Sequence, residues 1–372
     1  LKIAATPAAD GKLGAFSEDR AAKAVEWVED QLGVELGSDQ RNAVGVALSQ
    51  KVLLFTGGPG TGKTTLIDAI VRCGLAVSAR IALAAPTGRA AKRLSEATGH
   101  ASMTIHRLLD YRPHDGGFGR SMASPLEADM VIVDEASMID LFLMDALVSA
   151  VPPRAVLVLV GDADQLPPVG PGAVLRDLLA SEALPTVRLT EIYRQARRSL
   201  IVRNAHRINQ GELPEGMEGM EGMETWDEDV LRDFYFIGEE DADRAREIAL
   251  ALVPERIPAR FGLNAMSDVQ VVAPMHRGKA GVSRLNLTLQ QRLNDVSGGR
   301  AVGDYMLRPG DRVIQQRNDY DREVFNGDVG RVAEAEAQGS LAVLFDGRRV
   351  EYDQKAARHL SLAYAISIHK SQ

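Results

Sequence analysis

Val52-Leu53-Leu54-Phe55-Thr56-Gly57-Gly58-Pro59-Gly60-Thr61-Gly62-Lys63-Thr64-Thr65 is a short apolar run that breaks into a glycine-rich turn and then into helix-forming sequence. Residues 57–64 fit the pattern G-x-x-x-x-G-K-[ST] in the setting it requires, after a strand and before a helix. The glycines let successive backbone N–H groups turn inward around phosphate oxygens, and the following helix presents its positive end to them. Lys63 is expected to reach the β- and γ-phosphates of ATP, and the Thr64 hydroxyl to ligate Mg2+. Gly58, Pro59, Gly60, Thr61, Gly62 and Thr65 complete the expected nucleotide cradle.

Branched apolar runs recur at residues 81–84, 130–133 and 156–160, separated by longer periodic segments. They are too short for helices and read as buried parallel strands. Strands alternating with helices give an α/β, doubly wound domain. Upstream, Ala22, Val25, Val28 and Leu32 stand at helical spacing, and a second helix follows Ser38. Residues 111–126 interrupt the alternation: His114-Asp115-Gly116-Gly117 between Tyr111 and Phe118 predicts a β-hairpin. Residues 269–273 open a second α/β unit, with a helix over 281–293. Residues 303–353 carry Gly310-Asp311, Asn326-Gly327-Asp328 and Asp346-Gly347 between short branched runs, which predicts a small antiparallel module. Residues 362–368 read as one more buried strand.

Composition sets outer limits. The chain has 372 residues, 45% hydrophobic and 25% charged, enough to bury more than one core. No apolar run approaches the roughly 18 residues of a spanning helix, so no membrane partner is expected. The single cysteine, Cys73, excludes a disulfide framework and fits a reducing, cytoplasmic location. A net charge of −8 argues against nucleic acid only at first sight. Residues 212–247 hold 14 acidic residues against 3 arginines, which leaves the rest of the chain net positive. Within that acidic segment, Glu-Gly-Met repeats over 215–224 read as a surface loop, since glycine at every third position opposes a helix.

Two further motifs bear on chemistry. Met130-Val131-Ile132-Val133-Asp134-Glu135 is a strand ending in two carboxylates. Asp134 is expected to hold Mg2+, and Glu135 to orient or deprotonate an attacking water. After the strand at 156–160, Gly161-Asp162-Ala163-Asp164-Gln165 offers Gln165 as a reporter of the γ-phosphate, and Arg194 offers a charge-stabilising arginine.

In this order, those motifs, Ala85-Pro86-Thr87-Gly88-Arg89, Tyr193-Arg194-Gln195, Ala273-Pro274-Met275-His276-Arg277-Gly278, Phe325-Asn326-Gly327-Asp328 and Ile368-His369-Lys370-Ser371-Gln372 resemble the RecD-type DNA helicases of superfamily 1, over residue 36 to the end. The resemblance implies two RecA-like P-loop lobes at 36–265 and 266–372, with ATP between them and a helical segment at 1–35. It implies a hairpin pin at 111–126 in the first lobe and a small Src-homology-like β-barrel at 303–353 in the second. It implies single-stranded DNA contacts at Pro86, Thr87, Arg89, Thr104, His106, Arg107, His276, Arg277, Asn318, Asn326 and His369, and adenine recognition by Gln40. A monomer acting at single-strand/duplex junctions, moving 5′ to 3′ in repair or recombination, is the implied activity. The alternatives are an RNA helicase of the same superfamily and a nucleotide-gated DNA-binding regulatory subunit. Two departures stand out: Gly37 replaces the hydroxyl residue usual ahead of Gln40, and the chain stops at Gln372, ahead of the arginine motif that completes the family's ATP site.

Overall fold

The computed structural model describes residues 13, 16–112, 117–191, 197–216, 231–319, 321–337 and 339–371. The chain forms two compact units, Leu1–Ile237 and Gly238–Gln372, whereas the sequence reading divides it at 265/266.

The first unit is an α/β lobe around one parallel sheet in the order β3-β2-β6-β7-β1-β8. The strands are β1 (Val52–Gly57), β2 (Ile81–Ala85), β3 (Ser102–Thr104), β6 (Met130–Val133), β7 (Val156–Gly161) and β8 (Thr186–Leu189). Alternation along β1 sends Leu53 and Phe55 into one core and Leu54 into the other. Both faces are therefore covered, which is why β1 is an unbroken apolar run. On the first face pack α1 (Glu18–Leu32), α2 (Ser38–Ser49), α3 (Lys63–Ala76) and, at the sheet's margin, α4 (Gly88–Thr98). Val28, Val44, Leu48, Leu66 and Ile70 are among its deepest side chains. Because α1 shares this core with α2 and α3, residues 16–35 belong to the lobe and form no separate layer. The second face takes the short α5 (Ile105–Leu108), α6 (Leu141–Ala150) and α7 (Val174–Ser181).

A hairpin does form between β3 and β6, but it is shorter than the sequence suggests. Its strands β4 (Tyr111–Arg112) and β5 (Gly117–Phe118) pair Tyr111 with Phe118. The tip at 113–116 lies outside the described residues. Residues 121–124 close a separate tight turn through a Ser121–Ser124 bridge.

In the second unit, β9 (Val271–Ala273) pairs in parallel with β17 (Ala365–Ser367), beside the helix Val282–Leu293. A two-stranded ribbon, β10 (Arg300–Val302) and β11 (Tyr305–Leu307), precedes an antiparallel sheet in the order β15-β14-β13-β12-β16. Its strands are β12 (Arg312–Gln315), β13 (Val329–Ala335), β14 (Leu341–Phe345), β15 (Arg348–Glu351) and β16 (Leu360–Leu362). The expected single strand over 362–368 is therefore two. Leu362 pairs with Val313 in the antiparallel sheet, Ala363 and Tyr364 turn the chain, and Ala365 enters the parallel pair. Continuous burial of that run hides the break, since both strands are covered on every side. Among the described residues, no helix is long and apolar enough to cross a membrane.

Candidate functional site

All six strands of the first sheet point the same way, so their carboxyl ends form one edge, where ligands of open α/β sheets bind. The phosphate loop leaves β1 there. Gly60 and Gly62 have φ of 77° and 74°, a conformation glycine adopts without a Cβ clash. Lys63 begins α3, and its Nζ donates to the carbonyls of Gly57 (2.6 Å) and Gly58 (3.2 Å). The Thr61 hydroxyl donates to Gly58 O at 2.8 Å, while Thr64 and Thr65 stand exposed at the helix start. A Cβ at position 57 would lie 2.6 Å from Thr61 Oγ1, so the loop closes on a glycine.

Gln40 lies buried under this loop. Its amide Nε2 donates to Gly62 O at 3.1 Å and its Oε1 accepts from Gly37 N at 3.1 Å. Gly37 is the N-cap of α2, so the glycine that replaces the usual hydroxyl residue is capped by Gln40 itself. The neighbouring Asp39 accepts from both Thr190 N and Thr190 Oγ1 at 2.8 Å, at the end of β8. Those bonds hold its carboxyl below the ordinary range. Residues 38–40 thus tie the phosphate loop to the strand that leads toward Arg194, which itself lies outside the described residues.

Asp134 and Glu135 follow β6, separated from β1 by one strand, β7. The Glu135 N–H donates to Asp134 Oδ1 at 2.9 Å. Burial raises the Asp134 carboxyl pKa, against the pull of that N–H and of Lys63. Glu135 is raised as well, first by burial and then by the charge on Asp134. It sits in the left-handed region at φ 52°, and its Oε2 is buried without a hydrogen-bond partner among the described residues. A strained acid with a free oxygen facing Lys63's field suits a group awaiting water. Gln165 is half-buried, its amide oxygen accepting from the Ser137 hydroxyl at 3.2 Å. Ala163 N reaches Thr56 Oγ1 at 3.3 Å, joining the β7 loop to β1.

A carboxyl whose pKa is raised on folding binds protons more readily in the folded chain. Stability therefore falls as pH climbs from the ordinary value of about 4.3 through the raised one, and the cost is fully present above it. Glu135→Gln removes that charge at nearly constant shape. It is expected to raise the melting temperature at pH 8 by roughly 2–4 °C. The gain should shrink as the pH is lowered. Melting followed by circular dichroism at several pH values tests this, and equal melting at pH 8 contradicts it.

The expected DNA contacts of the first unit leave the neighbouring strands of the same edge. Thr87 follows β2, and its Oγ1 accepts from Ala90 N at 3.2 Å as N-cap of α4. Thr104 ends β3 and caps α5 in the same way, accepting from Arg107 N at 3.2 Å. Capping uses an oxygen lone pair, so each hydroxyl keeps its proton free to donate. Pro86 is half-buried, and Arg89 and Arg107 are exposed. His106 packs edge-on to Tyr111 and tilted to Phe118, with ring centroids 5.5 and 5.8 Å apart. Burial lowers its pKa against the opposing charge of Asp140. Asp134 N donates to Ala84 O at 2.9 Å, so the acidic tip and the strand leading to Thr87 share a hydrogen bond.

In the second unit, His276 and Arg277 are exposed in the loop after β9. Asn318 Oδ1 accepts from Asn326 N at 2.8 Å, and Lys370 Nζ donates to Asn326 Oδ1. His369 stands exposed beside Lys370. Asn318, Asn326 and the 369–370 turn are thus brought together. Sequence reasoning missed Ser137, Thr56, Asp39 and His206. The first three stand inside motif stretches without an assigned role, and each contact is found only once partners distant in the chain are known.

Comparison with known proteins bears on the family and the fold. An AAA domain family model matches residues 35–225, more than half of the chain, and an ATP-dependent RecD-like DNA helicase SH3 domain model matches residues 285–345. The ATP-dependent RecD2 DNA helicase of Deinococcus radiodurans is 38% identical over 371 residues, covering 100% of this chain and 47% of that protein. The RecBCD enzyme subunit RecD of Mycolicibacterium smegmatis is 34% identical over 375 residues, covering 90% of this chain and 63% of that one. The chain thus spans less than two thirds of the length of these relatives. Among solved structures, the Bacteroides Pif1 helicase in complex with ADP-AlF3 and ssDNA superposes with a TM-score of 0.52 at 19% identity, covering 91% of this chain and 84% of that one. The Candida albicans Pif1 helicase gives a TM-score of 0.50 at 20% identity, covering 91% and 86%. Both share the fold. With a phosphate loop at the tip of β1, the chain belongs to the AAA-domain family, and its second unit carries a match to the RecD-like DNA helicase SH3 domain.

Proposed function

We propose that this chain is the motor portion of an ATP-dependent DNA helicase that moves 5′ to 3′ along single-stranded DNA and parts duplex at a junction. The observation that carries the reading is the shared edge of the first sheet. Nucleotide residues leave β1, β6 and β7, and the expected DNA residues leave β2 and β3 beside them. The RecD2 and RecD relatives support DNA as the track.

Lys63 would exchange its bonds to the loop carbonyls for the β- and γ-phosphates of ATP, Glu135 would hold the attacking water, and Gln165 would read the γ-phosphate. Mg2+ fits the donor set: an exposed Thr64 hydroxyl, a half-buried Asp134 carboxylate and no group of three or more His, Cys, Asp or Glu that would make a closed cage among the described residues. Bound with the nucleotide, the ion would neutralise developing phosphate charge. Thr87 and Thr104 would donate hydroxyls to DNA phosphates, with Arg89 and Arg107 as cations, which positions the strand without reading its sequence.

Steady-state ATP hydrolysis, with and without single-stranded DNA, tests the proposal. DNA is expected to stimulate turnover at least about tenfold, a lowering of the barrier by roughly 1.4 kcal/mol. Equal stimulation by RNA of the same sequence would favour an RNA track. ATP-dependent DNA affinity without turnover would overturn the motor and leave a regulatory subunit. Unwinding of a 5′-tailed but not a 3′-tailed duplex checks the polarity.

A further inference from the structure

We infer that His206 is a nucleotide-contacting residue, its free ring nitrogen held beside the phosphate loop for a phosphate oxygen. This rests on the nucleotide site proposed above. His206 lies on the helix Leu200–Asn209, outside every motif in the sequence. A Cβ at position 58 would come within 2.7 Å of His206 Cε1 and 3.4 Å of Nε2, so the imidazole rests directly on the loop. Gly60 and Gly62 are glycines for their positive φ, but Gly58 has no such φ. At 58 the nearest atoms to such a Cβ are those of the ring.

The helix is fixed in place. Ser199 caps it by accepting from Val202 N at 3.2 Å. Asn204 uses both ends of its amide on the backbone of Glu215, at 3.1 and 2.7 Å, and Arg203 pairs with the Glu215 carboxylate at 2.8 Å. The ring is thus delivered to the loop by a rigid element.

His206 Nε2 is nevertheless buried without a hydrogen-bond partner among the described residues. A buried polar nitrogen is costly to leave unpaired, and an unpaired one beside an anion cradle has an evident acceptor in a phosphate. Glu135 Oε2, the expected water-holding oxygen, is orphaned in the same way. Lys63 is meanwhile turned onto the carbonyls of Gly57 and Gly58, the segment the ring covers. Phosphates entering the loop would draw Lys63 off those carbonyls and accept an N–H from His206, a charge-assisted bond that selects the Nε2–H form.

The test is binding of fluorescent mant-ATP and mant-ADP, with Mg2+, to the whole 372-residue chain and to three variants. His206→Phe keeps the ring and loses the nitrogen. It is expected to weaken binding about tenfold with unchanged melting temperature, the loss of one hydrogen bond to a charged group. His206→Gln sets an amide nitrogen at the same reach and is expected to recover most of that affinity, whereas His206→Asn, one bond shorter, is not. A loss confined to mant-ATP assigns the contact to the γ-phosphate, and equal losses assign it to the inner phosphates. Wild-type affinity in His206→Phe, or in His206→Asn should the Phe variant fail to fold, would overturn the inference while leaving the nucleotide site intact. Failure of the unaltered chain to bind either nucleotide would overturn the site itself.

Discussion

Lys63→Ala is expected to lower ATP turnover by at least about a thousandfold while leaving the affinity for single-stranded DNA little changed. The ammonium already stands at the loop, 2.6 Å from Gly57 O and 3.2 Å from Gly58 O, so it supplies charge where phosphates enter with little rearrangement. Alanine removes that charge but leaves the start of α3 and the positive φ of Gly60 and Gly62, so the loop should still fold and bind nucleotide weakly. The expected DNA residues depend on other strands: Thr87 on β2 and Thr104 on β3, each hydroxyl set by its own N-cap bond. Neither bond involves Lys63. A coupled ATPase assay reads the first effect, and fluorescence anisotropy of labelled single-stranded DNA reads the second. Retained turnover would remove Lys63 from the chemistry. Parallel loss of DNA affinity would mean that the sheet edge is one coupled surface.

Much of this edge is legible in the sequence because its parts are local. A strand followed by a glycine-rich turn, or by two acids, announces itself within ten residues. The parallel sheet is legible for the same reason, since β6, β7 and residues 52–55 of β1 are apolar without interruption. What stays hidden depends on neighbours distant in the chain. The edge strand β3 is three residues long, and β8 alternates exposed and buried residues, so neither reads as a buried run. The turn at Ala363-Tyr364 is hidden for the opposite reason. It is as buried as the strands on either side, and only pairing with Val313 before it and Val271 after it reveals the break. Gly37 looks like a defect in the motif until Gln40 is seen to donate to Gly62 O and accept from Gly37 N. His206 carries no local signal at all. Its place follows from the 148-residue path that returns the chain to Gly58.

Asp311→Ala is expected to destabilise the second unit by about 3–5 kcal/mol, a large share of an ordinary domain's roughly 5–15 kcal/mol. Asp311 is fully buried and its carboxylate accepts four hydrogen bonds. They come from Gln290 Nε2 at 2.5 Å, Asn294 Nδ2 at 2.7 Å, the Tyr364 hydroxyl at 2.8 Å and Arg308 N at 2.7 Å. Gln290 lies on the helix Val282–Leu293 and Asn294 caps its end, while Asp311 leads into β12 and Tyr364 leads into β17. One carboxylate therefore joins the helix, the antiparallel sheet and the parallel pair. Burial, with the charge of Asp311 beside it, raises the Tyr364 pKa, so that hydroxyl stays a donor across the usual pH range. Alanine leaves these donors in a dry interior. Each costs about 1–3 kcal/mol when unpaired, less where a donor keeps a second acceptor, as Gln290 does at Met306 O and Asn294 at Pro309 O. Asp311→Asn keeps the shape and one acceptor oxygen but turns an amide against the remaining donors, so it should fall between the two. Urea unfolding followed by circular dichroism, with a separate fit for each unit, reads the effect. A midpoint unchanged in Asp311→Ala would mean that packing alone holds the antiparallel sheet to the helix and the parallel pair of the second unit. Loss of the second unit should also remove the DNA contacts expected of Asn318, Asn326 and His369, since β12 and β17 lead into the turns that carry Asn318 and His369.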